Sequence, residues 1–495
     1  MRPPRVVDER GEPLPMPRAP REGQKLSAWL SANDLPLNTR CGGRGLCRGC
    51  ELQVESRAIK ACQCTVDTLA GQTIHLPKAS RHDASIHGVS AFEIPPSLLE
   101  SLEPLPRANG VALDLGTTTI AASFWCGSPP RCVRNATRAN PQRAHGDNVV
   151  SRIQFSIDSS EGLYILREIL MREGILPLLD EICSGEVPDR IYVTGNPVML
   201  HILARKSLKG FSAWPFAPVF LDTRNMEIAG LAFTLLPSLG PFVGSDVLAG
   251  ALACGCLDAD PPSLLIDFGT NGEILLRARD GLHATATAAG PAFEGGRLQC
   301  GAAAGPGVIS RFGSLDELSG GQSAHAISGA AYVDAIALAH GAGWLNESGR
   351  FQQIREINPA PGVVITEADI AELLQAKAAI QAGWTTLCEC AGISPRDLRH
   401  VYIAGGFGYH LTPAHARAIG LIPPVFSDRI HLVGNASLAG ATLALLSARA
   451  LTRMESTRAG VNLIELNQVE SFEDHYIDSL SLSLRENYQR PLEHT

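Results

Sequence analysis

Five cysteines fall between residues 41 and 64, in the order Cys41-GGRGL-Cys47-RG-Cys50-ELQVESRAIKA-Cys62-Q-Cys64. Three thiolates at five- and two-residue gaps on a Gly-rich loop can wrap one side of a small cluster, and a fourth would arrive from the strand that follows. Gly42, Gly43, Gly45 and Gly49 allow the backbone to fold around sulfides and to aim N–H groups at them. Zinc knuckles pair two short Cys-x-x-Cys units, whereas this segment has one such unit and a glycine wrap. A [2Fe-2S] centre is therefore the expected occupant, with structural zinc as the alternative. Cys62 and Cys64 are two apart on an expected strand, face the same side, and are both candidates for the fourth ligand.

A second chemistry is written twice. VALDLGTTTIAASFW (111–125) and LLIDFGTNGEILL (264–276) each read as an apolar strand that delivers an aspartate, a Gly turn with polar neighbours, and a return strand. Turn N–H groups and hydroxyls in such a hairpin can hold phosphates, and the aspartate can position Mg²⁺ or its waters. The residues are Asp114, Gly116, Thr117 and Thr118 in one copy, and Asp267, Gly269, Thr270, Asn271 and Gly272 in the other. One Asp-x-Gly-Thr is weak evidence, because Gly hairpins are common. Two copies 153 residues apart are much stronger.

Several elements must position these groups. A short amphipathic helix is expected over 25–33, a hairpin over 51–54 and 59–66, and a final strand at IHLP (74–77). Prolines 77, 95, 96, 104 and 106 then stiffen a mobile or semi-rigid linker and exclude a long helix through it. The 495-residue length is too great for one ordinary core. The division expected is 1–82 for the cysteine module, 83–108 for the linker, 109–260 for a first lobe and 261–495 for a second.

The net charge of −8 and the absence of a basic stretch exclude a nucleic-acid protein. The start, MRPPRVVDER, lacks the apolar stretch of a secretory leader, and the apolar passages 231–256 and 327–344 are broken by Gly, Pro or Asp. A soluble, cytoplasmic protein without membrane spans is expected, and its 13 cysteines are expected to be thiols or metal ligands.

The two turns resemble the phosphate motifs of the superfamily of acetate kinase, sugar kinases, heat-shock ATPase chaperones and actin, known as ASKHA. VYIAGGFG (401–408) is similar to its adenosine motif, with Gly405 and Gly406 placed so that the backbone lies against base and ribose. NPQRAHGDNVVSRI (140–153), TGNPVMLHIL (194–203), FVGSDVLAG (242–250), GPAFEGG (290–296), QAKAAIQAG (375–383), GGFGYHL (405–411) and GNASLAGA (434–441) resemble a narrower group, the ATP-dependent reductive activators of corrinoid-dependent methyltransferases. The fold implied is a small α+β ferredoxin-like domain of β-grasp type followed by a two-lobed α/β ASKHA ATPase body.

That resemblance implies a [2Fe-2S] cluster, ATP and Mg²⁺ as cofactors, and an activity that reduces a cobalt(II) corrinoid protein to cobalt(I). Its partners would be the corrinoid protein and a low-potential electron donor, and a homodimer is compatible with it. Cysteine ligands would be Cys41, Cys47, Cys50 and Cys62, the last because the family's fourth ligand sits in Ala-Cys-Gln, matched by residues 61–63. Only eleven residues separate Cys50 from Cys62, fewer than in adrenodoxin-like domains. Asp246 in FVGSD is a further phosphate or metal candidate. Glu273 is a candidate for orienting water, with a solvated strand-end carboxylate as the plain alternative.

Two other function classes fit parts of this pattern. An activator of a 2-hydroxyacyl-CoA dehydratase pairs the same ATPase fold with iron and sulfur but lacks an N-terminal ferredoxin. A non-catalytic nucleotide switch with a sensing cluster would bind partners without delivering electrons. A small-molecule kinase is disfavoured by the want of a base for a substrate hydroxyl. Elsewhere, His201 reads as a packed or capping histidine, His145 and His410 as loop residues in solvent, and Cys254, Cys256, Cys388 and Cys390 as small core residues.

Overall fold

A computed structural model describes residues 3–8, 11–33, 35, 37, 50–55, 57–76, 93–146, 148–321, 323–352 and 354–482. The N-terminal part is a four-stranded sheet with one helix on it: β1 (Arg5–Val7), α1 (Leu26–Ala32), β2 (Glu51–Val54), β3 (Arg57–Lys60) and β4 (Thr73–His75). The strand order is β1-β4-β2-β3, with β1 parallel to β4 and β2 antiparallel to both its neighbours. Leu26, Trp29 and Leu30 recur at helical spacing and bury against Leu52, Val54 and Ile74. The expected strand over 59–66 stops at Lys60. The Ala61 N–H still bonds to the Cys50 carbonyl, but the Gln63 N–H turns back to the Lys60 carbonyl, and a 3₁₀ turn follows at Val66–Leu69.

A short helix, α2 (Pro96–Ser101), precedes the body. Leu102 is buried, the Leu105 N–H donates to the Leu446 carbonyl at 2.7 Å, and the Ser447 hydroxyl donates to the Leu102 carbonyl. The C-terminal end of the proline-rich stretch is therefore seated on the body rather than free.

The first large sheet contains β5 (Ala108–Leu115), β6 (Thr119–Gly127), β7 (Arg131–Ala139), β8 (Arg190–Gly195), β9 (Arg224–Ile228) and β10 (Leu231–Leu235), in the order β7-β6-β5-β8-β10-β9. Its helices include α3 (Val149–Asp158), α4 (Pro197–Leu203) and α5 (Ser245–Ala253). The central strand β5 is an almost unbroken buried apolar run, whereas the edge strand β7 carries Arg131, Arg134 and Arg138, charges that discourage pairing with another chain.

The second sheet contains β11 (Ser263–Phe268), β12 (Gly272–Arg277), β13 (Leu282–Thr287), β14 (His400–Ala404), β15 (Ile430–Gly434) and β16 (Val461–Leu463), in the order β15-β14-β11-β12-β13-β16. Its helices include α6 (Glu367–Cys390), α7 (Gly405–Tyr409) and α8 (Ala436–Leu446). Five strands repeat the first sheet in order and polarity: β13-β12-β11-β14-β15 matches β7-β6-β5-β8-β10. The duplicated turns thus sit on duplicated sheets.

Helices α5 and α8 lie between the lobes in one core with Ala112 of the first sheet and Leu265, Leu275 and Tyr402 of the second. Their crossing is close enough that a Cβ on Gly440 would enter the Ala249 backbone, which is why a glycine stands there. Among the described residues no helix is long and apolar enough to cross a membrane.

Candidate functional site between the lobes

The ends of β5 and β11 bring their aspartates to one place. Asp114 lies opposite Thr194 and Asp267 opposite Ala404 in the parallel pairs, so each stands beside the mouth where β8 and β14 end. Asp246 joins them from the first turn of α5, and Glu273 faces Asp267 across the β11–β12 pair. Glu273 is buried, and Asp114, Asp246 and Asp267 are half-buried. Burial and the charge of Asp246, with a smaller share from Asp267, push Asp114 up to about 8, although an Asn435 hydrogen bond opposes the rise. Burial and Asp246 push Asp267 up to about 7, and burial pushes Asp246 up to about 6. Glu273 is raised by burial and by both Asp246 and Asp267. Burial is the largest cause in each case, and like charge adds to it at Asp114, Asp267 and Glu273. Among the described residues, no three acidic, histidine or cysteine side chains are grouped closely enough to hold a metal ion directly.

Both aspartates are held from the start of α8. Asn435 Nδ2 donates to Asp114 at 3.0 Å, and Ser437 Oγ lies 3.5 Å from Asp267 and donates to the Asp246 carbonyl at 3.1 Å. One helix end therefore touches two of the four carboxyls and the main chain of a third acid.

The two turns face each other. Thr118 Oγ1 and Thr270 Oγ1 are 3.2 Å apart across the cleft, and both donate to Glu294, at 3.0 and 3.1 Å. The first turn is braced from beneath: Asn140 donates to the Gly116 carbonyl at 2.9 Å, and buried Arg152 donates to the Thr117 carbonyl at 2.6 Å. In the second, the Gly269 N–H bonds to the Asn271 carbonyl, and the Asn271 side chain bonds to Glu273. Gly272 has no room for a side chain because Ile380 and Thr287 close on it. At the end of β14, Gly405 takes φ 88° with the Phe268 carbonyl against it, while Gly406 is open to solvent.

The candidate phosphate, metal and adenosine residues of the body lie at or just beyond the ends of β5, β11 and β14, at the start of β12, or at the start of α5. The reading of Glu273 as a solvated carboxylate does not hold, because its side chain is buried beside Asp267. Three residues went unremarked: Glu294, Asn435 and Ser437. Each lay inside a motif passage, GPAFEGG or GNASLAGA, but nothing in those strings distinguishes a site carboxylate or amide from a turn residue.

At the N-terminal sheet, Cys41 and Cys47 lie outside the described residues. Cys50 and Cys62 are buried at the same end of the β2–β3 hairpin, Cys64 is half-buried, and Gln63 Nε2 points at Cys62 Sγ from 3.5 Å. Residues 61–63 form a turn, so the strand argument that put Cys62 and Cys64 on one side fails. His201 is packed: its Nδ1 bonds to the Pro197 carbonyl at 2.7 Å, its ring stacks on Phe220, and burial pushes it down to about 4. His145 rests on Phe155 and His410 beside Tyr409, each half-buried rather than solvated. Cys254, Cys256 and Cys388 are in the core, while Cys390, at the end of α6, is exposed and departs from expectation.

Comparison with known sequences gives the family. The profile of the RACo middle region matches residues 109–259, and that of the C-terminal domain of RACo, the ASKHA domain, matches residues 261–491. The chain belongs to the RACo family. The corrinoid activation enzyme RamQ of Eubacterium limosum is 26% identical over 527 aligned positions, covering 83% of this chain and 88% of that protein. The Co(II) methylated amine-specific corrinoid protein reductase of Methanosarcina barkeri is 26% identical over 419 positions, covering 75% of this chain and 76% of that one. A solved structure described as a reductive activator for corrinoid, iron-sulfur protein superposes with a TM-score of 0.67 at 23% identity, over 97% of this chain and 98% of that chain. That likeness of fold takes in the N-terminal sheet as well as the body.

Proposed function

We propose that this chain is an ATP-dependent reductive activase that returns an inactive cobalt(II) corrinoid protein to cobalt(I) for a corrinoid-dependent methyltransferase. The observation that carries this reading is the cleft, where two phosphate turns meet through Thr118 and Thr270 beside four acids, in a chain that aligns along most of its length with relatives named for corrinoid activation and Co(II) corrinoid protein reduction.

In this reading Thr117, Thr118, Thr270, Asn271 and the glycine turns at Gly116, Gly269 and Gly272 hold the phosphates of ATP. Asp114, Asp246 and Asp267 would hold Mg²⁺ through its bound waters, and Glu273, beside Asp267, would orient water at the terminal phosphate. Gly405 and Gly406 let the backbone lie along the nucleoside. The acids fit a hydrated cation rather than one held by three carboxylates, since no three of them are grouped closely enough to ligate one ion directly.

The N-terminal unit, residues 1–82, is read as a β-grasp [2Fe-2S] ferredoxin domain, followed by the linker 83–108 and the lobes 109–260 and 261–495. The residues present fit a cluster: Cys50 and Cys62 share one end of a hairpin, and an amide N–H is aimed at the Cys62 sulfur, as cluster thiolates accept. Cys41, Cys47, Cys50 and Cys62 would hold it. When bound, the cluster supplies single electrons at a potential near −400 mV for the plant type. The electron comes from a low-potential donor in the cytoplasm and goes to the cobalt of the partner.

Reducing cobalt(II) is uphill from such a donor, and each 100 mV of gap costs about 2.3 kcal/mol per electron. Nucleotide must therefore bias a conformational state of the complex, and the cleft between the lobes is where binding would shift one sheet against the other. Anaerobic mixing of reductant, this protein and a cobalt(II) corrinoid protein should produce the cobalt(I) absorption spectrum with MgATP and little of it without. No effect of ATP on any corrinoid partner would sink the assignment. Iron content after Cys62→Ser and Cys64→Ser separates the fourth-ligand candidates: loss is expected only in the first.

A further inference from the structure

Glu294 occupies the point where the two phosphate turns meet. Its carboxylate accepts from Thr118 of one lobe and Thr270 of the other, while burial raises its pKa and Arg143, the two hydroxyls and Arg152 hold it down. The same hydroxyls are the ones assigned above to the phosphates of ATP. A hydroxyl has one proton to donate, so a carboxylate and a phosphate oxygen cannot both take it. Two anions at that spot also repel each other.

We propose that Glu294 is a built-in anion that joins the two phosphate turns while no nucleotide is bound and that the terminal phosphates of ATP displace it. This rests on the ATP-site reading and adds a competitor to it. The turn that carries the residue, Pro291–Glu294, is set between Gly290 at φ 76° and Gly295 at φ 77°, backbone conformations that favour glycine. Phe293, next to Glu294, packs on Phe407 of α7 at 4.7 Å and on Phe268 of β11 at 5.6 Å. Moving Glu294 therefore disturbs an aromatic contact with the short helix that begins at Gly405.

The test is calorimetric titration of the full chain, in Mg²⁺, with a non-hydrolysable ATP analogue and separately with adenosine. Wild type, Glu294→Ala and Glu294→Gln are compared. Glu294→Ala should bind the analogue roughly tenfold more tightly, because charge-assisted hydrogen bonds no longer compete and Arg143 and Arg152 attract the phosphates instead. Glu294→Gln keeps an acceptor without the charge and should fall between the two, and adenosine affinity should be the same in all three. Analogue affinity equal to or weaker than wild type in both variants overturns the proposal, the weaker result assigning Glu294 to nucleotide binding. Wild-type protein that binds no analogue overturns the ATP-site reading and this one with it. If Glu294→Ala does not fold, the ratio of Glu294→Gln to wild type decides.

Discussion

The two lobes repeat one sheet, and they differ at the end of the strand beside each aspartate. In both, that strand stops at a glycine pressed on the carbonyl of the neighbouring strand, Gly195 on Leu115 and Gly405 on Phe268. Beyond it the first lobe is sealed. Asn196 caps the Val198 N–H, Pro197 starts α4, and every residue of that helix is buried. The second lobe continues with Gly406, which has no atom within 4 Å of where a Cβ would stand. A duplicated scaffold has been closed in one copy and left open in the other, and the open end is the one proposed for the nucleoside. The aspartates diverge in parallel: Asp114 takes an amide from Asn435, Asp267 only a long hydroxyl contact from Ser437.

The largest effect should come from the glycines. Gly405→Ala places a Cβ against the Phe268 carbonyl at a left-handed φ and should cost about 3 kcal/mol in urea unfolding. Gly406→Ala should change stability by less than about 0.5 kcal/mol, since nothing lies near it, and yet weaken nucleotide binding. Unchanged nucleotide affinity in Gly406→Ala would break the assignment of the open end to the nucleoside.

Next in size is the response to pH. Asp114, Asp267 and Asp246 titrate near 8, 7 and 6 in the folded protein against 3.8 ordinarily. The folded state therefore holds extra protons between about pH 4 and 8, and its stability is lost as pH rises through the folded values. Without Mg²⁺ the Tm should fall from pH 5.5 to 8, and Mg²⁺ should raise it more at pH 8 than at pH 6. Asp114→Asn should flatten that slope more than Asp267→Asn, because the first-lobe acid is raised further. Equal slopes would show that the two acids share one environment.

The smallest effect is the coupling between the turns. Thr118→Val and Thr270→Val each remove a hydrogen bond to Glu294 and should cost about 1 kcal/mol. The double variant should cost less than the sum, since each hydroxyl supports the same carboxylate. Strict additivity in chemical denaturation would mean that the turns do not cooperate in the free protein.

Much of this was legible in the sequence. Asp114-Leu115-Gly116 and Asp267-Phe268-Gly269 announced a duplication because an apolar strand, a Gly turn and a return strand are local patterns, and local patterns survive without tertiary context. The helix at Leu26–Ala32 was readable for the same reason. Strand 59–66 was over-extended because its residues alternate acceptably, while the turn that ends it depends on where the Gln63 N–H bonds. Burial of Glu273 was hidden too, since a carboxylate after a turn looks solvated until Asp267 is placed opposite. Asn435, Ser437 and Glu294 reach the site only through folding of residues far away in sequence.

The most direct test follows cobalt(II) reduction spectroscopically, under anaerobic conditions, with wild type, Asp114→Asn and Asp267→Asn, each with and without MgATP. The expected result is a strong ATP stimulation in wild type and its loss in both variants, with cluster content and the ATP-free rate unchanged. Full ATP stimulation in either variant would contradict a cleft in which both lobes hold the nucleotide that drives the electron to cobalt.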